Sequence, residues 1–184
     1  MGMKNHIGPG PFPPESINKL AQTLCGGRRL VKILYYNSPL RRTDLGYPAQ
    51  QRFFAGLQKI TYLELKLGRL AQRSVSIYCQ TCKSSFIEAT CKQCAQPMPL
   101  LKYSDKGTDV NIATDLLVNA FDDQYDAAVL ISEDGDFASA IQEVQRLKKQ
   151  VDNAFFRKRV LAQVCNNFIH LDAPLINSLR PKHP

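Results

Sequence analysis

The run Ala127 to Ser132 (AAVLIS) is continuously apolar, too short for a buried helix, and set between two amphipathic segments. A strand covered on both faces reads this way, and such strands belong to parallel sheets with helices packed on either side. Before it, Asp109 to Phe121 places Ile112, Ala113, Leu116, Leu117, Ala120 and Phe121 on one helical face. After it, Asp136 to Lys148 does the same with Phe137, Ala140, Ile141, Val144 and Leu147. The alternation extends in both directions. A stiff lead-in at residues 8–14 (GPGPFPP) precedes a helix over Glu15 to Leu24 that Gly26-Gly27 ends; Leu30 to Tyr36 reads as a buried strand, Pro48 to Leu57 as a helix, and Thr61 to Leu70 as a half-exposed strand. Val151 to Phe156 is a weaker strand, Lys158 to Cys165 a short helix and Asn167 to Leu171 a last strand. The expectation is an α/β fold, a parallel central sheet with helices on both faces, in a single domain over residues 1–184; 44% apolar residues suffice for its core.

One segment does not fit that alternation. Cys79 and Cys82 form one CxxC pair, and Cys91 and Cys94 form a second, in IYCQTCKSSFIEATCKQC. Two such knuckles can turn four thiolates to one point, which satisfies the tetrahedral preference of Zn2+ and leaves no position for water. The expected role is therefore structural, in a zinc-binding insertion over residues 75–100; redox CxxC chemistry or a pair of disulfides is the alternative. Lys83, Phe86 and Lys92 lie between and beside the cysteines and could serve as a nucleic-acid contact, while a stapled loop with no further role explains them as well. Cys25 and Cys165 read as ordinary buried thiols.

Charge is unevenly divided. From Asp105 to Asp136 the chain holds nine of its sixteen acids against one base, Lys106, a balance of −8, while the rest carries 23 bases and 7 acids, +16. A basic body attracts a polyanion, and an acidic centre within it repels phosphate unless cations intervene. Solvated helix faces would give the same count. Within the acidic part, Asp109 follows Lys106-Gly107 at a loop-to-helix junction, and Asp134 and Asp136 follow the AAVLIS strand where the next helix begins. Carboxyl ends of parallel strands gather ligands in one crevice, and Mg2+ or Mn2+ takes one or two carboxylates plus water and phosphate. Each aspartate is also a reasonable helix N-cap.

KGTDVNIATDLL, followed by YDAAVLISEDGDFASAIQEVQ, resembles the signature of NYN domains of the LabA-like group, within the PIN-like nuclease superfamily. YYN at residues 35–37 and the closing NFIHLD fit the same pattern. The resemblance implies a parallel sheet, Mg2+ or Mn2+ held by clustered aspartates, and hydrolysis of RNA phosphodiesters. By motif position Asp109, Asp134 and Asp136 match the acidic residues, and Lys106 and Ser132 match flanking positions close to phosphate. A cation so held polarises the phosphoryl oxygen and lowers the pKa of a bound water, so no cysteine or serine nucleophile is needed. His6, His170 and His183 lie in unrelated segments and do not make a catalytic pair.

The resemblance also implies an opening apolar strand ending in aspartate and followed by asparagine. Met1 to His6 would align just after it, and no acid precedes Glu15. The first strand is therefore expected to be missing from the centre of the sheet, to be encoded by in-frame codons upstream, and to leave cleavage impaired where it is absent. The expected function is metal-dependent RNA cleavage, with a silent RNA-binding adaptor as the alternative and a zinc-stapled protein-interaction module as a third. No apolar stretch of membrane-spanning length occurs, and the start lacks the apolar core of a signal peptide, so a cytoplasmic protein with RNA as partner is expected.

Overall fold

The structure, a computed structural model, describes residues 12–181. Helix α1 (Pro14–Cys25) starts at a proline and ends at Gly26, whose left-handed φ of 57° lets its N–H reach the Thr23 carbonyl. Strand β1 (Ile33–Asn37), helix α2 (Tyr47–Leu57) and strand β2 (Leu63–Leu67) form a crossover unit in which β1 and β2 pair in parallel. Further on, α3 (Thr108–Phe121), β9 (Ala127–Leu130), α4 (Ala138–Arg146), β10 (Gln150–Phe155), α5 (Leu161–Val164), β11 (Asn167–His170) and α6 (Ala173–Ser178) build a second parallel unit, in strand order β11-β10-β9.

Both faces of that second unit are covered. Val129 packs with Leu20, Leu24, Ala154 and Ile176 on one side, and its neighbour Leu130 with Phe137, Ile141, Val144, Val151 and Leu161 on the other. Adjacent strand residues point to opposite faces, so both helical layers follow from the apolar run itself. Ile17 belongs instead with Phe54, Leu57 and residues of β1 and β2, so α1 spans the two parallel units. On the opposite face α3 does likewise, with Asp115 accepting a hydrogen bond from the Tyr36 hydroxyl at 2.8 Å.

The expected single central sheet is replaced by two parallel pieces, β1-β2 and β9-β10-β11, with no ladder joining β1 to β9 among the described residues. An unpaired edge leaves its backbone groups to water, and all four residues of β9 are half-buried where AAVLIS suggested full burial. The opening strand expected from the resemblance is not among the described residues, and the lead-in at 8–14 lies largely outside them. β10, read as a weaker strand, is the most deeply buried, with Val151 to Phe155 all buried.

The run Thr61 to Leu70 is two strands, not one. It breaks at Gly68, where a Cβ would lie 2.5 Å from the Thr108 Oγ1 and 2.8 Å from the Ser38 Oγ. Beyond the break, β3 (Arg69–Ser74) leaves the body and pairs antiparallel with β8 (Leu101–Lys106) as a two-stranded ribbon. At its far end sit two small hairpins, β4 (Ile77–Tyr78) with β5 (Ser85–Phe86), and β6 (Glu88–Thr90) with β7 (Pro97–Pro99). Two helical faces are also narrower than expected: Phe121 is 79% exposed and Leu147 40%. Each is at or just past the end of its helix, where the apolar stripe has left the sheet. Among the described residues no helix is long and apolar enough to cross a membrane.

Candidate functional site

The loop after β9 is built by its neighbours. Asn153, buried in β10, donates from Nδ2 to the Leu130 carbonyl (3.2 Å) and the Ser132 carbonyl (2.8 Å), fixing the path of the chain as it leaves the sheet. The Ser132 hydroxyl accepts from the Asp134 N–H at 3.1 Å, and the Asp134 carboxylate accepts from the Asp136 N–H at 3.0 Å. Asp134 thereby caps the 3-10 turn Gly135–Phe137 that leads into α4. Glu133 turns the other way, to Arg159 at 3.4 Å, and Gly135 lies against Val160, so residues 159–160 flank the loop. Asp134 and Asp136 are both exposed at the carboxyl end of the strand. One oxygen of Asp134 is engaged in the cap, and the second has no partner among the hydrogen bonds of the described residues.

Asp109 occupies the first turn of α3, exposed, two residues after Gly107, whose φ of 89° turns the chain from β8 into the helix. Lys106 ends β8 and Ser132 ends the AAVLIS run. Among the described residues, no three of His, Cys, Asp and Glu come together as a metal-holding group. Ser132, Asp134 and Asp136 are therefore joined in one hydrogen-bonded loop, whereas Asp109 sits on a separate helix start. The oxygen donors suit a hard cation, and a cation that takes one or two carboxylates and completes its shell with phosphate and water fits this set without a third protein ligand.

A polar corner that the sequence did not announce lies beside Asp109. Thr108 donates to both Asp105 carboxylate oxygens (2.7 and 2.8 Å), the close-packed Gly68 lies beneath them, and the buried Ser38 Oγ beside it has no hydrogen-bond partner among the described residues. It fixes the entry to α3. Asp152, 2% exposed, was likewise missed: Arg28 reaches it at 2.9 Å and Asn167 at 2.7 Å. The only signal for it was a pair of polar residues inside the apolar run VDNAFF.

The cysteines fold into two matching knuckles. In the first, the Cys79 N–H donates to the Ser84 carbonyl and the Lys83 N–H returns to the Cys79 carbonyl; in the second, Cys91 and Gln96, then Ala95 and Cys91, repeat both bonds. Lys83 and Ala95 take the same left-handed turn, at φ of 60° and 55°. Hydrogen bonding to the Ser84 hydroxyl, then to its backbone and to Cys79, lowers the Cys82 thiol to about 7. Backbone N–H groups of the second knuckle, Cys94 first, lower Cys91 as well. One thiol in each pair is thus held below its usual range, while among the described residues the two pairs are not drawn into one four-sulfur group. Cys25 and Cys165 are half-buried rather than buried; desolvation, then the charge of Asp152, pushes Cys165 up to about 11. His170 donates from Nε2 to the Phe156 carbonyl (2.8 Å) at a strand end, and His6 and His183 lie outside the described residues.

No curated protein matches the chain. Among solved structures it is similar to a chain titled "Sir2-p53 peptide-NAD+", at 10% identity over 91% of this chain and 68% of that one, with a TM-score of 0.39, an overlap too low to carry an argument. The model of the NYN domain matches residues 11–172, which takes in both acidic segments, the ribbon and the cysteine lobe. The chain belongs to the NYN domain family.

Proposed function

We propose that the chain is a metal-dependent ribonuclease whose reaction centre is formed by the Asp134–Asp136 loop together with Asp109. NYN domains are PIN-like nucleases, so a nuclease acting on RNA is the general expectation from the family. The observation that carries the finer reading is the loop itself: Asn153 and Ser132 hold two exposed carboxylates at the carboxyl end of β9, where open parallel sheets place their chemistry. Mg2+ or Mn2+ bound there would supply charge to the phosphoryl oxygens and an acidified water. The chain's own contribution is to present a free Asp134 oxygen, keep Asp136 beside it, and set Lys106 against the negative charge of the phosphate. Zn2+ at Cys79, Cys82, Cys91 and Cys94 would hold the lobe closed and take no part in the reaction.

The test is incubation with single-stranded and structured RNA in the presence of Mn2+. Cleavage that Asp134→Asn removes supports this reading. A second reading, a silent RNA-binding adaptor, is favoured by the distribution of the carboxylates over two helix starts. It predicts RNA left intact but bound with steep salt dependence.

A further inference from the structure

The ribbon that carries the cysteine lobe has two unlike faces. In its register Arg69 lies opposite Lys106, Ala71 opposite Ser104, and Arg73 opposite Lys102. Alternate residues share a face, so one face presents two rungs of paired cations separated by a rung of small residues. Like charges directly opposite one another weaken an antiparallel pair. The other face shows the usual solution: Tyr103 donates to Gln72 opposite it (2.9 Å), and the Arg41 guanidinium, paired with Asp44, stacks on the Tyr103 ring at 4.0 Å. Among the described residues none of Arg69, Arg73, Lys102 and Lys106 on the cationic face has a carboxylate within 4.0 Å.

We infer that this cationic face is a track for the sugar-phosphate backbone of single-stranded RNA, running along the ribbon toward Asp109. The inference rests on the nuclease reading for the identity of the polyanion and extends it to Arg69, Arg73 and Lys102. A shallow groove of about 400 Å³ lies on this face, lined by Arg73, Lys102, Ser104 and Lys106, with Ser74 and Val75 at its end. The rungs are four residues apart along β3, about 13 Å at strand rise, so they contact separate phosphates of one extended chain. Ala71 and Ser104 leave the floor between them low. β8 runs directly through Gly107 into α3, and a backbone that follows the ribbon arrives at the Lys106–Asp109 turn. That continuity favours a nucleic acid over an acidic peptide, which has no reason to end at a carboxylate site.

The test compares salt dependence of binding, by fluorescence anisotropy of a labelled oligouridylate without added divalent cation, for wild type and Arg73→Gln/Lys102→Gln. Each lost phosphate contact lowers the slope of log K against log salt by about 0.7 and the affinity at 0.1 M salt by about 5-fold, so the double variant should lose about 25-fold. A control pair, Arg29→Gln/Arg42→Gln, should change neither beyond a small uniform loss. Equal losses in both pairs would mean attraction by net charge alone and would overturn the track; so would an unchanged slope in the ribbon variant. Displacement of RNA by polyglutamate at equal charge concentration would assign the face to an acidic protein and overturn it too. If wild type cleaves no RNA the nuclease reading fails, and the slopes still decide the track.

Discussion

The Asn153 side chain donates to the Ser132 carbonyl at 2.8 Å from within the sheet, and by this bond a buried residue of one strand sets the direction of the acidic loop that leaves its neighbour. Asn153 is 1% exposed and its second bond goes to Leu130, so two carbonyls lose a donor when it is removed. Asn153→Leu should cost about 1–3 kcal/mol in urea unfolding. RNA cleavage at a temperature where the variant is fully folded should fall further than this loss explains, because the loop is no longer held. Unchanged cleavage in a folded Asn153→Leu protein would detach the loop's geometry from its function.

Arg28 and Asp152 tie the end of α1 to β10 across the sheet. The carboxylate is buried and the guanidinium 40% exposed, so truncating the arginine strands a charge that keeps, among the described residues, its hydrogen bond from Asn167. Arg28→Ala should destabilise by about 1.5–3 kcal/mol, and adding Asp152→Asn should recover part of it by removing the unpaired charge. A thermodynamic cycle of the two single variants and the double variant measures the coupling. Additive losses would show that the pair is not coupled.

The matching knuckles predict one Zn2+ per chain, measured by elemental mass spectrometry of the purified protein, and its loss in Cys82→Ser or Cys94→Ser. Chelation should expose the segment 75–100 to proteases first and leave the α/β body resistant, because the lobe's hairpins bury almost nothing of their own. A metal-free protein whose lobe resists proteolysis would exclude zinc as its staple.

Burial raises Tyr125 to about 12, and its hydroxyl donates to the Leu116 carbonyl at 2.8 Å. A group whose proton is held more tightly in the folded state stabilises it fully below the unfolded pKa near 10 and loses that contribution as pH climbs toward 12. Unfolding midpoints should therefore fall between pH 10 and 12, and Tyr125→Phe should flatten that fall while costing about 1 kcal/mol at neutral pH. An equally steep fall in the variant would place the titrating group elsewhere.

Much of the fold is visible in local patterns. α1, α2 and α3 begin and end within one residue of where their proline, glycine and periodic signals put them. Where the sequence misled, the cause is long-range. At Gly68, where the run breaks, Thr108 and Ser38 leave no room for a Cβ, a close approach that nothing in TYLELKLGRL announces. The β3–β8 ribbon joins segments on either side of the cysteine lobe, and each strand alone alternates too weakly to be assigned. The knuckles were legible because each is complete within six residues, from Cys79 to Ser84 and from Cys91 to Gln96. The candidate site was half legible: Ser132, Asp134 and Asp136 follow one strand and stay together, while the place of Asp109 depends on how α3 meets the sheet.

The central claim is that carboxylates from those two helix starts act on one divalent cation. It is tested most directly by the Mn2+ dependence of RNA cleavage in wild type, Asp109→Asn and Asp134→Asn. The account predicts that cleavage needs Mn2+ and that both variants either lose about 100-fold or more in rate or need far more Mn2+ to reach half-maximal activity. Cleavage without any divalent ion, or an Asp109→Asn protein with the wild-type rate and wild-type Mn2+ midpoint, would contradict it.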